Sequence, residues 1–314
     1  MLRNVINWVS DTALNTVGYP IRLSRLLQRH ADELLVQIDP QEKNIAYSNV
    51  IPWHCLGKEF NHSYRHDTGA LQGWRYDGDR YSRFSVYRPE YAKIGECTVI
   101  NDWSCDITDV HGFAGSKSNL KEFTSIDAMA EARCPDWIAD ISAENLAQNL
   151  SHGEIRIIHA PGVDRFERNL WDDRLFLMNA GGSHHFAAAK YIATRLPKAV
   201  PLQGELRVNK LNGDAIGALQ RDYEMFVIPY DRHNNPHLWM AFFEALEEFR
   251  ATWLWHPMPR PFEHAQAVLL PRSERLSMRV ADLLRHANIT DLGQHLQTLL
   301  ARQANIATPK IFVA

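Results

Sequence analysis

Apolar residues recur at a helical period early in the chain. Ile21, Leu23, Leu26, Leu27, Leu34 and Leu35 stand among Arg22, Arg25, Arg29 and Asp32, the spacing of an amphipathic helix whose apolar face packs on a core. From Ala46 to Val110 the texture changes to aromatics, glycines and short alternations. Trp74-Arg75-Tyr76 and Tyr81-Ser82-Arg83-Phe84-Ser85-Val86-Tyr87 flank Asp77-Gly78-Asp79, which predicts a β-hairpin, because glycine tolerates the positive φ such turns require. Gly115-Ser116-Lys117-Ser118-Asn119 reads as a loop and a boundary between regions. Helical spacing returns after Asn235-Pro236, a cap followed by proline at the first helical position, with Trp239, Phe242, Phe243, Leu246 and Trp253 behind it. Pro257-Met258-Pro259-Arg260-Pro261 interrupts that run, and Leu276 to Gln303 resumes it with Leu283, Leu284, Leu292, Leu296, Leu299 and Leu300. No internal repeat is visible.

Between residues 140 and 210 the pattern is regular enough to trace as a path. Ser142 to Leu150 predicts a helix, with Ser142 as cap, Glu144 in the first turn and Gly153 as its stop. Glu154-Ile155-Arg156-Ile157-Ile158-His159 alternates and halts at Pro161-Gly162, which predicts a strand. A second, wholly apolar strand follows at Leu175-Phe176-Leu177-Met178. It runs into Asn179-Ala180-Gly181-Gly182-Ser183-His184-His185-Phe186-Ala187-Ala188-Ala189-Lys190, a glycine turn feeding an alanine-built helix, and Ala199-Val200-Pro201-Leu202 opens the next strand toward Leu206 and Val208.

A strand, a glycine turn and a helix start make an anion site for a physical reason. The first helical N–H groups lack intrahelical partners and point outward with the positive end of the dipole. Gly181 and Gly182 would let backbone approach a phosphate, and His184 and His185 would each offer a hydrogen bond and, when protonated, a charge. The helix N-terminus disfavours that protonation, so a bound anion and a proton assist each other. The alternative is a glycine turn needed only for geometry, with one histidine buried as a neutral hydrogen-bonding group, and with Ser183 serving as an N-cap.

The order helix, strand, strand, Gly-Gly-Ser-His-His-Phe-Ala-Ala-Ala-Lys, strand resembles the core of the ParB/sulfiredoxin-like superfamily over residues 140–210. The ParB signature of that segment is Gly-Glu-Arg-Arg, then an aromatic or aliphatic position, then Arg-Ala-Ala, and it cradles a nucleoside triphosphate. Gly182 stands at its glycine, Ser183 at its glutamate, His184 and His185 at its two arginines, and Ala188-Ala189 at its alanines. The sulfiredoxin loop, Gly-Gly-Cys-His-Arg, places Ser183 at the catalytic cysteine, so that thiol is absent, and His185 at the arginine. The resemblance implies ATP or CTP with Mg²⁺ as cofactor, held at Gly181, Gly182, Ser183, His184 and His185, and ATPase, CTPase or phosphotransfer chemistry. Such chemistry needs a carboxylate; Glu144, Asp172 and Asp173 are nearest along the chain, and Arg174 or Lys190 would restore positive charge.

Composition narrows the class. Of 314 residues 45% are hydrophobic and 23% charged, an ordinary globular balance at a length that predicts two domains, or one with a large addition. A net charge of −3 argues against coating nucleic acid by bulk charge. No long apolar run or signal-like opening appears, which predicts a cytoplasmic protein with no membrane partner. Four cysteines, Cys55, Cys97, Cys105 and Cys134, are too scattered for a disulfide framework. With His54, His62, His66 and His111 the first three could assemble zinc, His62 and His66 being spaced i, i+4, but no paired Cys-x-x-Cys is present. Arg272, Arg275, Arg279 and Arg285 could touch nucleic-acid phosphates, yet Glu274, Asp282 and Asp291 make that face one of mixed charge. The reading is a mixed α+β protein: an α+β region with the hairpin over 1–135, a ParB/sulfiredoxin-like core over 136–233 and a helical extension over 234–314. The expected partner is a nucleotide or small phosphate ligand, with nucleotide hydrolase or phosphotransferase activity following if the site is catalytic. The alternatives are a non-catalytic interaction scaffold with a degenerate site, and a DNA-associated ParB-like protein.

Overall fold

In a computed structural model, residues 19–38, 43–58, 69–230 and 236–306 are described. The fold is mixed α+β. Its strands are β1 (Ala70–Tyr76), β2 (Tyr81–Tyr87), β3 (Gly95–Asp106), β4 (Val110–Phe113), β5 (Arg165–Asn169), β6 (Leu175–Met178), β7 (Pro201–Leu211), β8 (Tyr223–Pro229), β9 (Trp253–Pro257) and β10 (Ala265–Pro271). They form two five-stranded sheets, ordered β2-β1-β9-β10-β8 and β3-β7-β5-β6-β4. In place of three consecutive regions, the chain divides into two interleaved units, one of Met1–Asp39, Cys55–Gly95 and Asn212–Leu299, the other of Pro40–His54, Glu96–Leu211 and Leu300–Ala314.

The first unit is built on the antiparallel sheet. The hairpin forms as its sequence predicts: Tyr76 lies opposite Tyr81, Gly78 takes φ 102°, and Asp77 Oδ1 accepts from the amides of Asp79 at 3.2 Å and Arg80 at 3.0 Å. The amphipathic helix Ile21–Leu34 buries Ile21, Leu23, Leu27 and Leu34. Leu23 and Leu27 share a core with Phe242 and Leu246 of helix Pro236–Glu248 and with Trp253 and Val268 of the sheet.

The helical extension expected over 234–314 also contains two strands, which corrects that expectation. The helix stops at Glu248, and β9 and β10 follow as central strands. Arg250 adopts φ 57° and the Ala251 amide closes back on the Leu246 carbonyl at 3.0 Å, so Trp253 leaves the helical stripe and pairs opposite Trp74 in the sheet. An apolar run bounded by turns reads equally well as either element, and burial on both faces decides it. All seven residues of β10 are buried.

The second unit holds the other sheet, with β5 parallel to β7, antiparallel to β6, and β6 parallel to β4. Helix Ser183–Thr194 buries Ala187, Ala188, Ala189 and Ala193; side chains this small let a helix approach its neighbours closely. Phe186 on that helix meets Phe113 of β4 edge to face, centroids 5.4 Å apart. Ser142 caps helix Ala143–Leu150 through the Asn145 amide at 3.2 Å, as expected, although the helix ends before Gly153.

The strand expected over 154–159 is instead a single helical turn, Arg156–His159. Its amide bonds are local, Ala160 N to Arg156 O at 2.8 Å among them, and an alternation of two isoleucines is too short to separate the two states. The strand beside β6 is β5, which the sequence hid under charge: it buries Phe166, Glu167 and Asn169. Asn209 donates to Glu167 Oε1 at 2.8 Å and to Asn169 Oδ1 at 3.0 Å, and the Tyr47 hydroxyl also donates to Glu167, so the buried side-chain oxygens of Glu167 and Asn169 find donors inside the unit. Among the described residues no helix is long and apolar enough to cross a membrane.

Candidate functional site

The glycine turn has a structural cause. Gly182 takes φ 70°, is buried, and would carry a Cβ only 2.5 Å from the Glu154 carbonyl oxygen. Both its conformation and the closeness of the Glu154–Ile155 backbone exclude a side chain. Ser183 is the first helical residue rather than the cap; it is 4% exposed and its hydroxyl donates to Ser116 Oγ at 2.9 Å. Gly182 caps without a side chain. Phe186 N makes the first intrahelical bond, to Gly182 O at 2.9 Å, and no group among the described residues accepts from the amides of Ser183, His184 or His185.

Around these amides the chain gathers groups from several elements. The 115–118 loop is pinned to the turn by Asn179, whose side-chain amide donates to Gly115 O at 2.9 Å and Gly181 O at 2.8 Å while its Oδ1 accepts from Gly115 N at 3.2 Å. Ser118 Oγ then lies 2.9 Å from His184 Nε2. Burial, and after it the positive charges of Lys117 and Arg133, hold His184 below the ordinary histidine pKa. Arg133 also reaches Glu122 at 3.2 Å on the surface. Lys117 is exposed and has no partner among the described residues.

His185 is the middle ring of a three-ring stack. Trp137 lies 4.1 Å from it at an interplanar angle of 10°, and His152 lies 3.7 Å from it at 15°. Two rings stacked this closely on one imidazole must occupy its opposite faces. Asn149, 5% exposed, places its Oδ1 3.4 Å from His185 Nδ1. His152 Nδ1 accepts from the Glu154 amide at 3.3 Å. Burial first and then His152 lower the His185 pKa, with Glu154 acting in the opposite sense. Trp137 is 39% exposed, the open end of the stack.

The carboxylates expected from the sequence do not join this cluster. Asp172 makes a two-point ion pair with Arg174, at 2.7 and 2.9 Å, and Asp173 pairs with Arg168; both lie at the end of β6 opposite the glycine turn. Glu144 is exposed in the first turn of its own helix. The two cations expected to assist are also engaged elsewhere. Arg174 holds Asp172 and donates to the Asn44 carbonyl at 2.5 Å, and Lys190 donates to the Thr108 and Val110 carbonyls at 2.5 and 2.6 Å. The carboxylates that do border the turn are Glu154, beside Gly181, and Asp164. Asp164 is 2% exposed, its Oδ1 accepts from Ala180 N at 3.2 Å, its Oδ2 has no hydrogen-bond partner among the described residues, and burial raises its pKa.

Thus Gly181, Ser183, His184 and His185 lie around one turn, Gly182 is taken up by packing against the Glu154–Ile155 backbone, and Lys117, Ser118, Arg133, Trp137, Asn149, His152 and Asp164 are additions that no sequence periodicity announces. For a metal, His62 and His66 lie outside the described residues, and among the described ones no group of three His, Cys, Asp or Glu side chains could hold an ion. His111 is engaged, its Nδ1 accepting from Leu175 N at 3.2 Å. The arginine face expected to touch nucleic acid is partly closed by ion pairs, since Arg272 and Arg285 both bind Glu224, at 2.9 and 3.1 Å.

No curated protein and no solved structure matches the chain. The sequence model of one family, described as a family of unknown function, matches residues 100–308, a span that takes in the loop, the ring stack and the helix of this site. With well over half its length matched, the chain belongs to the DUF6685 family.

Proposed function

We propose that the second unit binds a nucleotide at the N-terminus of helix Ser183–Thr194. The observation that carries this reading is the ring stack standing beside unsatisfied helix amides and an unpaired lysine. A nucleotide has two parts, and the two halves of the cluster suit them. The amides of the first turn, Ser118, His184 and Lys117 offer donors and positive charge to a phosphate. The open face of Trp137, backed by His185 and His152, offers a flat surface to a base, and stacking of this kind contributes about 1–3 kcal/mol per base. Glu154 beside Gly181 repels an anion there, so the phosphate belongs on the Ser118–His184 side. The ParB/sulfiredoxin resemblance supports the same ligand class, but with the buried Gly182 as packing rather than as phosphate contact.

The residues present fit the nucleotide better than a protein-held Mg²⁺, because Asp172 and Asp173 are closed by arginines at the far end of β6. We therefore assign binding and derive no hydrolytic step. The test is isothermal titration with CTP, ATP and inorganic phosphate, with and without Mg²⁺, at pH 6 and pH 8. Nucleotide should bind more tightly than phosphate, and both more tightly at pH 6. Trp137→Ala should remove the nucleotide's advantage, a loss of roughly tenfold or more, while Lys117→Ala combined with His184→Ala should weaken both ligands. Undiminished affinity in these variants, or no heat with any ligand, overturns the assignment.

A further inference from the structure

The first unit carries an aromatic cleft that the nucleotide reading does not use. Trp74 on β1 lies opposite Trp253 on β9, and Trp255, two residues along, projects from the same face. Helix Pro236–Glu248 sets Trp239, Met240 and Phe243 across from them, leaving a cleft of about 550 Å³. That volume lies within the range of small-molecule sites, roughly 300–1,000 Å³.

Much of this aromatic surface packs on itself. Trp74 stacks on Tyr81 at 13° with centroids 5.9 Å apart and meets the edge of Phe243 at 5.1 Å; Trp239 meets Trp253 edge to face at 5.7 Å. Among the described residues, however, no ring contact joins Trp74 to Trp239, so the two indoles bound a space instead of filling it. Their polar atoms are open as well. Trp253 Nε1 donates to Tyr81 Oη at 2.8 Å, and the Tyr81 hydroxyl donates in turn to the Ala251 carbonyl at 2.7 Å. The indole N–H groups of Trp74 and Trp239 have no hydrogen-bond acceptor among the described residues.

The lining decides the kind of occupant. Among the described residues it contains no Asp, Glu, Lys, Arg or His, so an anionic ligand would lose hydration without meeting a counter-charge. The described lining also lacks Asn and Gln, so against it a hydroxyl-rich sugar would leave most of its polar groups unpaired. Aromatic walls with two free N–H donors match a flat apolar ring that bears an acceptor. We propose that this cleft binds an uncharged, largely apolar small molecule with an aromatic ring system and a hydrogen-bond acceptor. The proposal is independent of the nucleotide site.

The test uses the full chain and an uncharged fluorescent probe, N-phenyl-1-naphthylamine, with 1-anilinonaphthalene-8-sulfonate as a partner of the same ring framework carrying a charge. The neutral probe should show saturable enhancement and bind at least tenfold more tightly than the sulfonate. Met240 is 49% exposed at the rim, so Met240→Trp fills the cleft without disturbing the core. It should weaken the neutral probe tenfold or more while leaving the melting temperature unchanged, whereas Trp137→Ala, in the second unit, should leave probe binding intact. Absence of saturable binding, equal binding of the sulfonate, displacement by tetramethylammonium, or unaltered affinity in Met240→Trp each overturns the proposal.

Discussion

The two adjacent glycines of the turn carry unequal burdens, and the difference is measurable. Gly182 combines a left-handed backbone with a Cβ position 2.5 Å from a carbonyl oxygen, whereas Gly181 has no positive φ and its nearest neighbour, on Glu154, would lie 3.7 Å away. Gly182→Ala is therefore expected to cost about 2 kcal/mol or more, the left-handed conformation alone accounting for roughly 1–3. Gly181→Ala should stay within about 0.5 kcal/mol of the parent. Urea unfolding of both variants checks this, and equal losses would mean that the turn is not packed against Glu154 as described. The pairing also shows what was legible residue by residue. The tight turn and the helix start are written in Gly181-Gly182-Ser183, because few residues tolerate that backbone. The role of Gly182 is not, since a glycine that yields room to a phosphate and one that yields room to another backbone segment look alike in sequence.

Helix Ser183–Thr194 places two imidazoles in its own first turn, and that element sets their pH response. Both histidines titrate below the ordinary value, mainly through burial, with nearby positive charge adding for His184 and His152 for His185. The unfolded chain titrates near about 6.5, so below that pH it binds more protons than the native state. The stability these groups permit is complete above about pH 6.5 and is lost as the pH falls through their native values. On the proposed reading, a phosphate bound at the same turn would favour the protonated imidazoles and so oppose this loss. Thermal melts between pH 8 and pH 5 should show a fall that shrinks in His184→Gln with His185→Gln, and shrinks also when CTP is added to the parent. A fall unaffected by either change would place the titrating groups elsewhere. Elements whose residues obey one period were legible: Ile21–Leu34, the hairpin, β6 and the alanine helix. The turn Arg156–His159 and strand β5 were not, because an alternation resting on two isoleucines does not separate helix from strand, and because the polar Glu167 and Asn169 find their partners in Tyr47 and Asn209, distant in sequence.

Across the whole molecule, the mixed α+β class follows from the alternation of textures, but the sharing of strands does not. The first unit draws β1 and β2 from before the second unit's sheet and β8, β9 and β10 from after it. No local pattern announces that Trp74 and Trp253 will lie opposite one another. Their pairing makes β9 the link by which the hairpin joins the rest of its sheet, so a residue expected in a peripheral helical extension holds the centre of the unit. Trp253 is fully buried, touches Trp239, Phe242 and Phe243, and donates to Tyr81. Trp253→Ala removes all of these at once and is expected to cost about 3–5 kcal/mol, the usual range for a large aromatic cut to alanine in a core. Because sheet and hairpin open together, hydrogen exchange in the variant should accelerate over residues 70–87 and 223–229 as well as beside the substitution. Amides of β5, β6 and helix Ser183–Thr194 belong to the other unit and should keep their protection. If residues 70–87 instead exchange as in the parent, the hairpin is stable without β9, and the segment 234–314 is the separable extension that its helical stripes predict.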